Sequence, residues 1–155
     1  MKTSFNIGIL LASFIMLFTA ASCEKPLSTE EKLCKEWHCR RADINTDIYV
    51  AFHKDGTFEE FTRKGEGAYR LYRGTWILEG KVLSGQYNDG EPWAAAYSLV
   101  IAGKTMTLTS LNEAAEESIF TITAIPQQVR DNCVTEVKSP TSPLWSSAVQ
   151  AFRCL

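Results

Sequence analysis

Between residues 37 and 125 the chain alternates apolar and polar positions with a period of two, in short runs. Ile48, Val50 and Phe52 alternate with Tyr49, Ala51 and His53. Successive side chains of a strand point to opposite faces, so such a run reads as a strand with one buried face. Asp55-Gly56 then marks a hairpin turn, and Phe58 begins the return strand. The same rhythm predicts strands over 69–78, 82–87, 93–101, 105–111 and 117–125. Polar, glycine-bearing turns separate them: 63–67, Glu79-Gly80-Lys81, 88–92 and Ala102-Gly103-Lys104. With 37–42 counted, about eight strands follow one another through short loops. This spacing predicts an all-β antiparallel up-and-down meander. Eight strands can close into a barrel wide enough for side chains or one small ligand, and closure removes exposed edges.

Both flanks carry helical signals. Ser28-Thr29-Glu30-Glu31 is a capping box, predicting a short helix over about 29–36. That helix puts Leu33 and Trp37 on one face. Beyond Ile125, Pro126, Pro140 and Pro143 punctuate an irregular stretch. Ser142 can then cap a short C-terminal helix with Pro143 at its first position. Leu144, Trp145, Ala148, Val149 and Phe152 form its apolar stripe, which must bury against the barrel.

The first 22 residues obey a different rule. Lys2 gives a positive start, 5–18 is nearly continuous apolar sequence, and Thr19-Ala20-Ala21-Ser22 leads into Cys23. The run is shorter than the about 20 apolar residues a membrane span needs, and the layout is that of an export signal. A cysteine directly after small residues resembles the lipobox of bacterial lipoproteins, although Ala20 stands where that family favours leucine. The resemblance implies that Cys23 receives lipid and becomes the first mature residue. The other reading is an ordinary signal cut near Ala21, with Cys23 a spare thiol. The expected organisation is a signal peptide over 1–22, a tether over 23–32, a barrel over 33–125 and a tail over 126–155. The protein is expected in the cell envelope as an outer-membrane lipoprotein.

Export changes how the five cysteines are read. With Cys23 lipidated, Cys34, Cys39, Cys133 and Cys154 remain, and an oxidising compartment makes two disulfides the natural expectation. In an up-and-down barrel the first and last strands are neighbours. Cys34 then lies near Cys133, leaving Cys39 for Cys154. Local pairing, Cys34 with Cys39 and Cys133 with Cys154, is the rival. Cys34, His38 and Cys39 cluster, but their spacing matches no standard zinc pattern. Of 16 basic residues the leader removes one, Lys2, and of 18 acidic residues none, so the mature charge is −3. That balance offers nucleic acid no basic face.

No catalytic motif stands out. The chain lacks a nucleophile elbow, a P-loop, a His-Glu-x-x-His and a dinucleotide fingerprint. Its two histidines are isolated, and Glu59-Glu60 and Glu116-Glu117 are adjacent pairs that a strand would split between faces. They read as solvated charges. No enzyme activity, cofactor or metal is expected.

One set of motifs, in order, has a family look. Leu33-x-x-x-Trp37 opens the domain, and Phe52-x-x-Asp55-Gly56-Thr57-Phe58 forms the first hairpin. Tyr72-Arg73-Gly74-Thr75-Trp76-x-Leu78, Leu83, Asp89-Gly90 and Leu108 follow. The series resembles the lipocalin-like lipoproteins of Gram-negative bacteria. The resemblance implies a lipocalin-like barrel, a small apolar ligand as partner, and Trp37 as a plug at the barrel base. On the predicted strands Tyr72 and Trp76 share one face, Trp93 and Tyr97 another, and Tyr87 lies between. These five rings are the candidate ligand-binding residues. Ordinary core filling is the other reading of the same rings. A loop-based protein- or glycan-binding module, or an enzyme inhibitor, is the functional alternative.

Overall fold

The computed structural model describes residues 26–137. Helix α1 (Thr29–Leu33) begins with the capping box. Ser28 Oγ accepts from the Glu31 amide at 3.1 Å, and the Glu31 carboxylate accepts from the Ser28 amide at 2.8 Å. The helix is shorter than the sequence predicts, because the chain turns into a strand at Glu36. Eight strands follow: β1 (Glu36–Arg41), β2 (Thr46–Phe52), β3 (Thr57–Lys64), β4 (Arg70–Glu79), β5 (Val82–Tyr87), β6 (Tyr97–Ala102), β7 (Thr105–Ser110) and β8 (Glu117–Ile122). Each pairs antiparallel with the next, and β1 pairs with β8 through Trp37–Ile122 and His38–Thr121. The result is a closed eight-stranded antiparallel barrel, as the meander pattern predicts.

Alternation along the strands divides the apolar residues into two clusters. Trp37, Cys39, Ile48, Val50, Phe52, Phe58, Tyr72, Trp76, Leu83, Leu99, Met106, Leu108 and Phe120 point inward and form the main core with further rings. Trp37 is fully buried, and its indole N–H donates to the Leu33 carbonyl at 2.8 Å. This bond ties α1 to the barrel base.

The second cluster lies outside the wall. Ala51, Phe61 and Leu71 face outward from β2, β3 and β4, and Ile125 and Val129 cover them. The covering segment contains α2 (Gln127–Asp131) and β9 (Val134–Thr135), so the stretch after Pro126 is ordered where the sequence reads as irregular. β4 has 10 residues, but β5 pairs only with its second half, from Gly74 onward. β9 lies parallel against the first half, pairing Val134 with Arg70 and Thr135 with Leu71. An otherwise open strand edge is thereby satisfied. Arg130 clamps the strap, bonding Glu36 at 2.7 Å and Glu59 at 3.4 Å beneath the Phe61 ring.

The disulfide expectation is corrected here. Cys34, Cys39 and Cys133 are free thiols. Cys34 and Cys39 belong to the interior cluster, whereas Cys133 packs in the outer one, with the barrel wall between. Adjacency of strand ends does not bring side chains together when they point to opposite faces. Cys39 faces the interior, where a helix laid on the wall cannot reach it. Cys154 and the 142–152 helical stripe lie outside the described residues, as do Cys23 and the leader.

Candidate functional site

All five aromatic candidates converge in the barrel interior. Tyr72, Trp76, Tyr87, Trp93 and Tyr97 are each buried in the main cluster. Their rings meet edge-on, the arrangement aromatic quadrupoles favour. Phe58 contacts Trp93 at 5.2 Å and Tyr87 at 5.8 Å between centroids. Tyr72 lies 6.1 Å from Tyr87, and Trp93 lies 6.2 Å from Tyr97. Trp76 meets Phe52 at 6.0 Å and donates its indole N–H to the Thr57 carbonyl at 3.0 Å.

Trp93 reaches this cluster by a route the sequence does not predict. The expected strand over 93–101 begins only at Tyr97, and residues 88–96 form a loop apart from one bridge, Gln86 with Pro92. The loop turns inward at Trp93, whose amide donates to the Gly85 carbonyl at 2.9 Å. The ring covers Gly85 so closely that a Cβ there would fall 2.4 Å from Trp93 Cε2. Beside this loop β5 and β6 share only two residue pairs, Val82–Ser98 and Leu83–Tyr97.

A carboxylate sits among the rings. Glu60 has no exposed surface, although its pairing with Glu59 in sequence reads as two solvated charges. The correction has a simple cause. Glu59 faces outward to Arg73 and Arg130, and Glu60 faces inward between Phe58 and Thr62. Thr62 Oγ1 donates to Glu60 Oε1 at 2.8 Å, and Tyr72 is its cross-strand partner. Burial first, and the Glu60 carboxylate next, push the Tyr87 and Tyr97 hydroxyls well above the usual phenol range. Burial raises Tyr72 in the same direction, with Glu136 and Glu60 adding to it. All three phenols therefore stay neutral and keep their hydrogen-bonding protons. The inward phase of Phe58, shared by Glu60 two residues on, is the sequence signal that marks this position.

A second polar group occupies the outer wall. Asp47 Oδ1 lies 2.6 Å from His38 Nε2, and its Oδ2 accepts from Tyr69 at 2.5 Å and Arg63 at 3.2 Å. His38 stacks on Tyr49 at 4.3 Å, and the Arg63 guanidinium lies 4.5 Å from the Tyr69 ring centre. Burial alone would raise the Asp47 carboxyl. Hydrogen bonds from Tyr69 and His38, and the charge of Arg63, outweigh it and hold the group below the ordinary carboxylate range. A cleft of about 390 Å³ opens here, lined by Asp47, Tyr49, Arg63, Tyr69 and strap residues. Because His38 points outward and Cys39 inward, the Cys34, His38 and Cys39 trio is divided by the wall. Among the described residues no three potential metal ligands come together.

A closed antiparallel barrel entered by a short N-terminal helix, with an inward-facing tryptophan at its base and a ring-filled interior, defines the class. The model of the lipocalin-like domain family matches residues 27–108, just over half the chain, and the chain belongs to that family. Searches of curated proteins and of solved structures each returned no match.

Proposed function

We propose that this chain is a lipid-anchored envelope lipoprotein whose barrel holds a small apolar ligand among Tyr72, Trp76, Tyr87, Trp93 and Tyr97. The observation that carries the ligand reading is the convergence of these five rings, from two strands, a strand end and a loop, on one interior cluster. Trp93 comes from a loop, so its ring can leave without breaking a strand, and the two-pair β5–β6 seam lies beside it. The role is binding rather than catalysis. Native mass spectrometry of protein purified from its host tests it directly. A retained small molecule supports the reading, and a ligand-free protein that takes up no apolar probe overturns it.

The anchor reading rests on Lys2, the apolar run over 5–18 and the small residues before Cys23. A mature N-terminus acylated at Cys23 would place the barrel in the envelope as an outer-membrane lipoprotein. Acyl chains contribute about 0.8 kcal/mol per buried CH₂, and stable anchoring takes more than one chain. Cys23→Ala is expected to move the exported protein from the detergent phase to the aqueous phase. Unchanged partitioning would remove the lipoprotein reading.

A second reading has its own support. The cleft beside the loop 63–69 presents Tyr49, Tyr69, Arg63 and Asp47, side chains suited to a glycan or a protein loop. An Arg63→Ala and Tyr69→Ala pair of variants that loses a partner while keeping any interior ligand would favour it.

A further inference from the structure

We infer that the barrel's ligand is a small amine, an apolar or aromatic body carrying one ammonium group, and that Glu60 reads its charge. The inference rests on the ligand-holding reading above and names the ligand's class.

Glu60 is fully buried on the inward face of β3. Among the described residues the other buried carboxylate is Asp47, which faces outward to His38, Arg63 and Tyr69. A single acid therefore sets the sign of the buried inward-facing carboxylate charge. The Thr62 hydroxyl holds one of its oxygens at 2.8 Å, so the carboxylate has a defined orientation. Around it stand Phe58, Tyr72, Tyr87, Trp93 and Tyr97, whose centroids lie 5.2 to 6.2 Å apart in a linked chain.

Two features of this surround favour a cation. Aromatic faces carry negative potential and attract ammonium groups, more strongly once water is excluded. A buried carboxylate does the same through an unscreened field. An anionic head would meet both as repulsion, and a neutral alcohol gains only burial of its apolar body. The three phenols, held in their neutral form, supply hydroxyl oxygens that accept from an ammonium N–H. Trp93 gives the site its volume. It enters from the loop 88–96 and rests on Gly85, so its displacement vacates a ring-sized space beside Tyr87 and Tyr97.

Three probes of nearly equal shape separate the terms: 2-phenylethylammonium, 2-phenylethanol and phenylacetate. Each is titrated into the full chain, with calorimetry and tryptophan fluorescence as readouts. The ammonium probe is expected to bind at least about tenfold more tightly than the alcohol, as a desolvated cation among rings should. Phenylacetate should bind most weakly. Glu60→Gln should abolish the gap between ammonium and alcohol and leave the alcohol's affinity unchanged. Equal binding of ammonium and alcohol to the wild-type protein overturns the amine inference and leaves the ligand-holding reading intact. Binding of none of the three, with no molecule retained on purification, overturns both. The wild-type ranking needs no variant, so a misfolded Glu60→Gln protein leaves the proposal to stand or fall on that ranking.

Discussion

Glycine at 74 and 85 is required by close approach, because each lies under another group. A Cβ at Gly74 would fall 2.0 Å from the Gln86 carbonyl oxygen and 2.7 Å from Phe58, and one at Gly85 would enter the Trp93 ring. The two obstacles differ in kind. Backbone on β5 cannot retreat without breaking the ladder, whereas Trp93 sits on a loop and can swing away. Gly85→Ala is therefore expected to fold, with Trp93 emission shifted to the red and stability lower by about 1–3 kcal/mol. Unchanged emission would contradict the placement of Trp93 over Gly85. Asp47 gives a second residue-scale expectation. Its folded pKa lies below the unfolded value of about 3.9, so its stabilisation is complete above about pH 5 and is lost as pH falls toward the folded pKa. Asp47→Asn should flatten that acid limb of the Tm profile and cost about 1–3 kcal/mol at pH 7. A variant whose acid limb matches wild type would show that the His38, Tyr69 and Arg63 contacts do not hold the carboxylate.

Among the elements, the strap after Pro126 behaves as an added layer on a finished barrel. Arg130 joins it to β1 through Glu36 and to β3 through Glu59, and β9 adds backbone bonds from Val134 and Glu136 to Tyr69 and Leu71. Arg130→Ala should cost about 1–2 kcal/mol, since hydrogen bonds to charged groups contribute in that range. Hydrogen exchange should quicken over 125–136 while β6, β7 and β8 keep their protection. Uniform quickening would mean that the strap and barrel unfold as one unit. The same geometry separates the thiols. Denatured without reductant, the protein should show Cys34, Cys39 and Cys133 all open to maleimide, and a cross-linked peptide joining any two would contradict this arrangement. Burial pushes the Cys34 and Cys39 thiols above the usual range, which slows their reaction in the native state.

At the scale of the whole molecule, closure concentrates the stability in one interior. Trp37 is fully buried at its base, bonded to α1 through the Leu33 carbonyl and placed on the strand that joins β2 to β8. Trp37→Ala removes a large core side chain and this bond together. The expected loss is about 3–5 kcal/mol, a large part of a typical domain's total of about 5–15 kcal/mol. A chemical-denaturation midpoint near that of wild type would contradict a tightly filled base.

The barrel was legible because its signals are local. Period-two alternation in 48–53, the Asp55-Gly56 turn and the Glu79-Gly80-Lys81 turn each act within a few residues, and short loops between strands leave few topologies open. The capping box at Ser28 and Glu31 is local in the same way. The five aromatic candidates were legible as a set, because inward phase on each strand follows from alternation. Three features needed the tertiary structure. Glu60 is buried because the chain's phase places it opposite Tyr72 inside a closed wall, a fact no pair of adjacent glutamates reveals. Trp93 leaves its expected strand because Gly85 offers a floor for its ring on a different strand. The thiols stay apart because which face of the wall each side chain occupies, rather than which strand ends are neighbours, decides whether two sulfurs can meet. Sequence by itself determined the alternation, the turns and therefore the barrel. The closed wall alone decided which groups share the interior, since that depends on contacts between residues far apart along the chain.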